Sequence, residues 1–356
     1  MKGKTTIKDI AKKCGLSICT VSTILNGRSR FSADTDKLVL ETAASLNYRK
    51  NPLASALHSG KNHIIIGVLG NVYRDSDMEL IIQLKRALYQ RGYFFMMLFM
   101  NAMAAEKKID FLEQVCNWGA GILILDTGIP EWSPCYPALL KVLKNVPPTI
   151  STCHEIVGSA VDYVTVDWGK NLPEVFDYFA QRHCKKVLFC CYDMNVAQQR
   201  FIAAGHAAGI ATEIWTLPLD KNSGEENFYH YGEMGEKLAA KLLAQRDELP
   251  DGIYCASDET AEALAMCFKL AGLRVPDDIA IVGGGDYSKS FRNMQNFPVF
   301  CHDPAEMAEV SVEALIERIE GGDTTPGSGK CHALLLQHLR LPRKSNHTAD
   351  EFTILR

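Results

Sequence analysis

Apolar residues recur with a helical period through the first fifty positions of the chain. Ile7, Ile10, Ala11 and Cys14 stand at i, i+3, i+4 and i+7, which places them on one face of a helix. Thr6-Ile-Lys-Asp9 fits a capping box at its start, with Asp in place of the usual Glu, and Gly15 stops it. Ser17 caps a second helix whose apolar face is Val21, Ile24 and Leu25; Ile18, Cys19, Ser22 and Thr23 point elsewhere, and Asn26-Gly27 ends it. After the basic loop "RSRF", Ser32 caps a third helix with apolar positions Leu38, Val39, Ala43 and Leu46, ending near Asn47-Tyr48. Three short helices with a glycine in the first turn describe a helix-turn-helix; by geometry alone a generic helical hairpin competes with it. Asn51 and Pro52 then suit the cap and first position of a further helix, running to about His58 with Gly60 as its stop. So short a helix is unstable alone in water, so either a partner chain or DNA completes it or the segment is a frayed linker.

Beyond residue 62 the pattern changes. "HIIIGVLG", "YFFMMLF", "GILIL", "YVTV", "KVLFCC", "IYCAS" and "IAIVGG" read as buried strands. Amphipathic helical stretches lie between them, for example 78–91, 106–117, 170–183, 197–208, 258–271 and 304–320. Strand and helix alternating at this spacing predict parallel α/β sheets, and there are enough of them for two lobes. A ligand cleft belongs at the carboxyl ends of such strands.

Composition narrows the class. The chain has 356 residues, 47% hydrophobic and 22% charged, ordinary for a globular protein. It contains neither an apolar run long enough to span a bilayer nor an apolar segment after the basic start to serve as a secretory signal, so a cytoplasmic location and no membrane partner are expected. The 12 cysteines are scattered, with no zinc-type spacing; buried reduced thiols are expected, with Cys190 and Cys191 on opposite faces of one strand. Neither a metal nor another cofactor is expected. Charge is unevenly spread. Residues 1–60 hold ten Lys/Arg against four Asp/Glu, a net of +6 in a chain of net −4, which leaves −10 for the remainder. A basic head on an acidic body points to a polyanion as partner for the head, and this moves the three-helix reading toward DNA.

Two stretches carry a resemblance. "TTIKDIAKKCGLSICTVSTILNG" and "FSADTDKLVLETAASLNYRKNPLASAL" resemble, without gaps from Thr6 to Leu57, the amino terminus of the lac-repressor-type (LacI/GalR) family of bacterial transcriptional regulators. The shared features are the "TVS…LN" core, the "LNY" helix end and the "N-x-x-A-x-x-L" hinge. The resemblance implies a homodimer on pseudo-palindromic double-stranded operator DNA, associated with the bacterial nucleoid when bound. Two recognition helices enter successive major grooves, and two hinge helices pair in the minor groove, where Leu57 wedges into the central step, as apolar side chains do, from a helix that folds on binding. The DNA-contacting positions it implies are Thr6, Ser17, Ile18, Cys19, Thr20, Ser22, Thr23, Asn26, Arg30, Ser32, Tyr48, Asn51, Ala54 and Leu57. Of these, Ser17, Thr20, Ser22 and Asn26 are small polar groups suited to phosphate, while Ile18, Cys19 and Thr23 fall on base-facing positions. Many family members carry Arg where Thr23 stands; without it the helix is poorly equipped for bidentate guanine reading and suited to thymine methyls, which predicts A·T-rich half-site contacts, with more specificity carried by the hinge and by DNA deformability.

The body resembles the family's two-lobed, periplasmic-binding-protein-like domain. "YVTVDWG", "QQRFIAAGHAAGI", "DGIYCASDETAEALAMCFKLAGLRVPDDIAIVGGGD" and the closing strand "HALLLQHLRLPRKS" carry this likeness. It implies effector contacts at Asp126, Asp167, Arg200, Ser257 and Gly285, with Trp168, Asp258 and Asp286 beside them; Asn71 and Arg74 follow the first strand, where ligand-facing groups usually lie. Carboxylates accept from hydroxyls and a guanidinium donates a fork of bonds, which suits a polyol of the carbohydrate class; a loop cap or surface charge is the alternative for each Asp. Arg200, a lone Arg in an Ala/Gly/Phe-rich helix start, needs a partner. The chain departs from the family where Gly285 replaces an acid, where Ser257 stands for a frequent Asn, and where Trp168 follows Asp167, a pairing found in purine-responsive members. These departures suit either a ligand other than a simple hexose or a degenerate pocket. Trp168 and the aromatics of "NFYHYG" fit a ring-stacking role or a core role alike.

The expected architecture is therefore α/β: an all-α helix-turn-helix domain over 1–50, a hinge helix and linker over 51–62, a two-lobed (type I) effector-binding and dimerisation domain over 63–343, and a tail over 344–356. The expected function is an effector-controlled transcriptional regulator, most simply a repressor. A solute-binding protein, which would need export, and an effector-independent regulator with a degenerate pocket are the alternatives. Against an enzyme, there is no GxxxxGK[ST], GxSxG or HExxH motif, and "GGG" at 283–285 does not form GxGxxG. No heptad pattern follows in "LPRKSNHTADEFTILR", so a dimer is expected rather than a tetramer.

Overall fold

The computed structural model describes residues 5–25, 30–48, 62–70, 75–167, 169–192, 195–217, 231–285, 297–321, 329–335 and 338–340. The chain divides into two compact units, Met1–Asn62 and His63–Arg356. Asn26, Asn51, Ala54, Leu57, Asn71, Arg74, Trp168 and Asp286 lie outside the described residues, as do the hinge helix and the tail.

The first unit holds helices α1 (Ile7–Cys14), α2 (Ile18–Leu25) and α3 (Ala33–Ser45). The Asp9 carboxylate accepts from the Thr6 amide at 2.8 Å and from the Thr6 hydroxyl at 2.7 Å. These bonds hold its pKa below the ordinary carboxylate value, and they satisfy donors that a helix start leaves unpaired. Gly15 closes α1 at φ +67°, a left-handed conformation that a Cβ would oppose. The Ser17 hydroxyl accepts the Thr20 amide at 3.0 Å, and Ser32 caps α3 through the Thr35 amide at 3.3 Å. Ile10, Ala11, Val21, Ile24, Val39 and Ala43 form the core of the unit. Leu38 is a correction: it is 48% exposed. The buried face of α3 is Val39, Thr42 and Ala43, and a residue one step before Val39 is turned about 100° away from it.

The second unit contains two six-stranded sheets. In chain order its elements are β1 (Ile64–Leu69), α4 (Asp75–Gln90), β2 (Phe94–Phe99), α5 (Ala105–Val115), β3 (Gly121–Asp126), α6 (Tyr136–Val142), β4 (Thr149–Cys153), β5 (Asp162–Val166), α7 (Leu172–Gln181), β6 (Lys186–Tyr192), α8 (Asn195–Ala208), β7 (Ala211–Leu217), α9 (Tyr231–Ala244), β8 (Gly252–Cys255), α10 (Asp258–Leu270), β9 (Ala280–Gly285), β10 (Val299–Cys301), α11 (Pro304–Glu320), β11 (Cys331–Leu335) and β12 (His338–Arg340). The first lobe has strand order β11-β5-β4-β3-β1-β2 and the second β12-β10-β9-β8-β6-β7. Among the described residues all pairings are parallel except β10 with β12. The chain therefore passes between lobes three times: after β5, after β10 and after β11.

Three strand expectations change. "YFFMMLF" forms the edge strand β2, with Phe94 and Phe99 exposed; edge position, not composition, decides its burial. The expected single closing strand is two strands in different sheets, β11 and β12. Strands β4, β7 and β10 escaped the pattern because "TISTC" is rich in hydroxyls, "ATEIWTL" is half polar and "VFC" is short. Cys190 and Cys191 do face opposite sides of β6, each in a different apolar cluster.

Helices cover both faces of each sheet, so strand centres are buried and strand ends carry the polar groups. At the amino end of β5, Asp162 accepts from Arg318 on α11 at 2.6 Å and from the Lys330 amide at 2.8 Å. His332 on β11 lies 3.0 Å from the same carboxylate. Burial pushes the Asp162 pKa up, but the bonds from Lys330, His332 and Arg318 outweigh it and the net direction is down.

Candidate functional site

Expected effector residues gather at the carboxyl ends of strands in both lobes. Asp126 ends β3 and Asp167 follows β5 in the first lobe, while Ser257 follows β8 and Gly285 ends β9 in the second. Parallel strands place these ends on one edge of each sheet, where side chains are free of the ladder.

The structure brings Asp167 and Arg200 together. Arg200, on α8 of the second lobe, donates through Nη1 to Oδ1 of Asp167. The Asp167 side chain is 11% exposed and that of Arg200 44%. The Asp167 amide is fixed at 2.7 Å to the carbonyl of Leu335 on β11. The partner that a lone Arg200 required is thus a carboxylate of the other lobe.

The other residues are not drawn into one constellation. Oδ1 of Asp126 accepts the Gly128 amide at 3.0 Å, capping its own loop. Asp258 is buried, and its Oδ1 accepts the Glu259 amide at 3.0 Å in the first turn of α10. Ser257, the residue before α10, is buried, and its hydroxyl has no hydrogen-bond partner among the described residues. Gly285 offers backbone alone. Among the described residues no group of His, Cys, Asp or Glu could hold a metal ion, and no helix is long and apolar enough to cross a membrane.

Sequence reasoning missed Lys108. It sits on α5, wholly buried, and its Nζ donates to the Gly128 carbonyl at 3.1 Å beneath the loop that carries Asp126. "AEKKID" reads as a polar helix surface, and nothing in that string separates Lys108 from its exposed neighbour Lys107. Thr127 is also buried, its hydroxyl 3.3 Å from the Ile129 carbonyl.

In the first unit, α2 presents one face to the core and another outward. Ile18 and Cys19 are exposed, and Ser22 and Thr23 are half-buried. The Thr23 hydroxyl donates to the Cys19 carbonyl at 2.9 Å, which engages its donor within the helix. Thr6, Arg30 and Ser32 are exposed, Thr20 is partly so, and Tyr48 packs partly against the core.

Comparison with known proteins covers both units. Residues 6–51 match the family described as "Bacterial regulatory proteins, lacI family", and residues 176–330 match the "Periplasmic binding protein-like domain". The chain is 26% identical over 342 residues to the HTH-type transcriptional repressor PurR of Haemophilus influenzae strain PittEE, covering 89% of this chain and 92% of that one. The PurR repressor of Pasteurella multocida strain Pm70 is 26% identical over 334 residues, covering 88% and 92%. Among solved structures, the lac repressor dimer bound to operator and the anti-inducer ONPF superposes with a TM-score of 0.72 at 18% identity, covering 95% of this chain and 98% of that one. The complex of the transcriptional regulator CelR with cellobiose gives 0.60 at 19% identity, covering 94% and 98%.

Proposed function

The chain belongs to the lac-repressor-type family of bacterial regulators, and from that premise we propose that it is a homodimeric repressor whose hold on operator DNA is set by a small molecule bound between its lobes. It is a DNA-binding transcriptional regulator with an effector-binding domain, not an enzyme by this reading, and it works in the cytoplasm. The observation that carries the proposal is the union of two parts: a capped, outward-facing α2 in a basic lacI-type head, and a two-sheet body whose polar groups collect at the carboxyl edges.

Each residue then has a role. Ser17, Thr20, Ser22 and Asn26, with Thr6, Arg30, Ser32 and Tyr48, set the register on phosphates. Ile18, Cys19 and the Thr23 methyl read thymine methyls, since the Thr23 hydroxyl is spent on Cys19. Asn51, Ala54 and Leu57 supply the minor-groove hinge. In the body, Asp167 and Arg200 are the polar centre of the effector site, and Asn71, Arg74, Asp126, Trp168, Ser257, Asp258 and Asp286 are its further candidate contacts. The effector is a sugar or a related polar metabolite.

The homodimer has a candidate surface. Met78, Ile82 and Tyr89 are exposed on α4, beside the edge strand β2 with its exposed Phe94 and Phe99. An uncovered apolar edge of this kind invites pairing with another chain, and a second copy covers it. A second reading, an effector-independent regulator, is favoured by two facts: Asp126 caps its own loop and Gly285 brings no side chain.

Selection from random duplexes with the full-length protein tests the proposal. A recovered pseudo-palindrome whose binding weakens steeply with salt is expected; recovery of no preferred sequence overturns it. Leu57→Ala should weaken selected sites far more than random DNA, and an equal loss on both would remove the wedge role. Thermal stabilisation by sugars or nucleobases separates the effector-controlled reading from the effector-independent one.

A further inference from the structure

Three chain crossings connect the lobes, and the polar contact between Asp167 and Arg200 spans them as well. Asp167 opens the first crossing. Its amide is tied to Leu335, the last residue before the third crossing, so its carboxylate is held on the first lobe where two crossings meet. Arg200 is displayed from the second lobe with equal firmness. Its neighbour Phe201 is wholly buried, with ring centroids 4.9 Å from both Phe176 and Phe189 and 5.8 Å from Tyr254. That aromatic cluster pins α8 to its lobe. The arginine stem lies along the crossing itself. Gly169 stands at φ +97°, and a Cβ there would come within 3.3 Å of Arg200 Cδ and 3.5 Å of Arg200 Cβ.

We propose that this pair is an interlobe latch, which holds the lobes in one arrangement before any ligand arrives and so sets the operator affinity of the effector-free protein. Both partners are rigidly mounted, so a rotation of one lobe separates them instead of stretching a flexible tether. The effector enters a cleft whose buried carboxylate and half-exposed guanidinium already engage each other, and it acts by changing the cost of keeping them paired. The operator arm of this inference rests on the regulator reading above.

The test uses full-length protein, a selected operator duplex and no added small molecule, with Asp167→Asn, Arg200→Gln, the double variant and Arg200→Lys. Each neutralising single variant should shift operator affinity in the same direction by about 5-fold or more, the lower range of coupling between sites. The double variant should match either single, because one interaction is lost once, and Arg200→Lys should stay near wild type. Unchanged single variants, or losses that add in the double, overturn the latch. Hydrogen exchange separates this from failure of the regulator reading. Amides over 169–172 and the first turns of α8 should exchange at least about 5-fold faster in both single variants than in wild type, on the same coupling, whether or not any duplex is bound. Equal exchange overturns the latch even where wild type binds its operator.

Discussion

Strand β5 has an aspartate–arginine pair at each end, and the two pairs are built for different work. At the amino end, Asp162 meets Arg318, with side chains 4% and 11% exposed, and both belong to the first lobe. The Lys330 amide donates to the same carboxylate at 2.8 Å, and His332 lies 3.0 Å from it. At the carboxyl end, Asp167 meets an arginine that is 44% exposed and belongs to the other lobe. The first pair is dry and internal to one folding unit, so breaking it strands a buried charge. The second is half-solvated, so water takes over when the partners separate. The same two residue types give a clamp in one place and a releasable contact five residues away. The head repeats the division: the inner faces of α1, α2 and α3 close a core, while Ile18 and Cys19 on the outer face of α2 stay exposed.

The comparison can be broken by substitution. Asp162→Asn should cost the most, about 3–5 kcal/mol of unfolding free energy, the usual price of breaking a buried ion pair, read by chemical denaturation of the body. Its acid dependence follows from the sign of the shift. A carboxylate whose native pKa is depressed stabilises the fold above its unfolded value, near pH 4, and that stability is lost as pH falls through the native value. Wild type should therefore weaken on acidification below about pH 4, and Asp162→Asn should weaken less. An acid profile that is identical in the two proteins would remove the clamp assignment.

Ile10→Ala should cost about 2–5 kcal/mol, as deletion of a buried aliphatic side chain does. The loss should fall on the head: operator binding disappears while the thermal transition of the body stays in place. A body transition that moves with it would contradict the division into two units. On the outer face of α2, Thr23→Arg should raise preference for a guanine in the half-site by about 1–3 kcal/mol without changing the stability of the head. Selected half-sites that are the same for both proteins would show that residue 23 does not face bases. The smallest stability effect is expected at the far end of β5. Asp167→Asn should cost no more than about 1 kcal/mol of unfolding free energy, as befits a pair with one well-solvated partner. A loss as large as that of Asp162→Asn would erase the contrast between the two ends.

Much of this was legible from the string. Ser17, Ser32 and the Thr6–Asp9 box cap the helices they were expected to cap, because a cap is settled by residues three apart. The strands with continuous apolar runs were found for a related reason: a parallel strand buried on both faces leaves an unbroken apolar signature. The string groups Leu38 with Val39, but a helix face is defined by what packs on it, and two adjacent leucine-like residues cannot both face the same neighbour. The letters of strand β2 are as apolar as those of β1, and only sheet order puts it at an edge. Lys108 was invisible because burial of a lysine depends on a carbonyl twenty residues away.

The candidate site divides along the same line. Sequence alone determined that a basic three-helix head precedes an acidic α/β body, where its helices begin and stop, and that acidic groups follow strands. These are consequences of local periodicity, capping and charge count, which need no knowledge of distant contacts. Only the tertiary structure decided that Asp126 serves its own loop, that Asp162 is locked within one lobe, and that Asp167 reaches across to Arg200. An aspartate at a strand end has the same local chemistry in all three places. What differs is which cation or amide the fold carries to within hydrogen-bond distance, and how much water it leaves there.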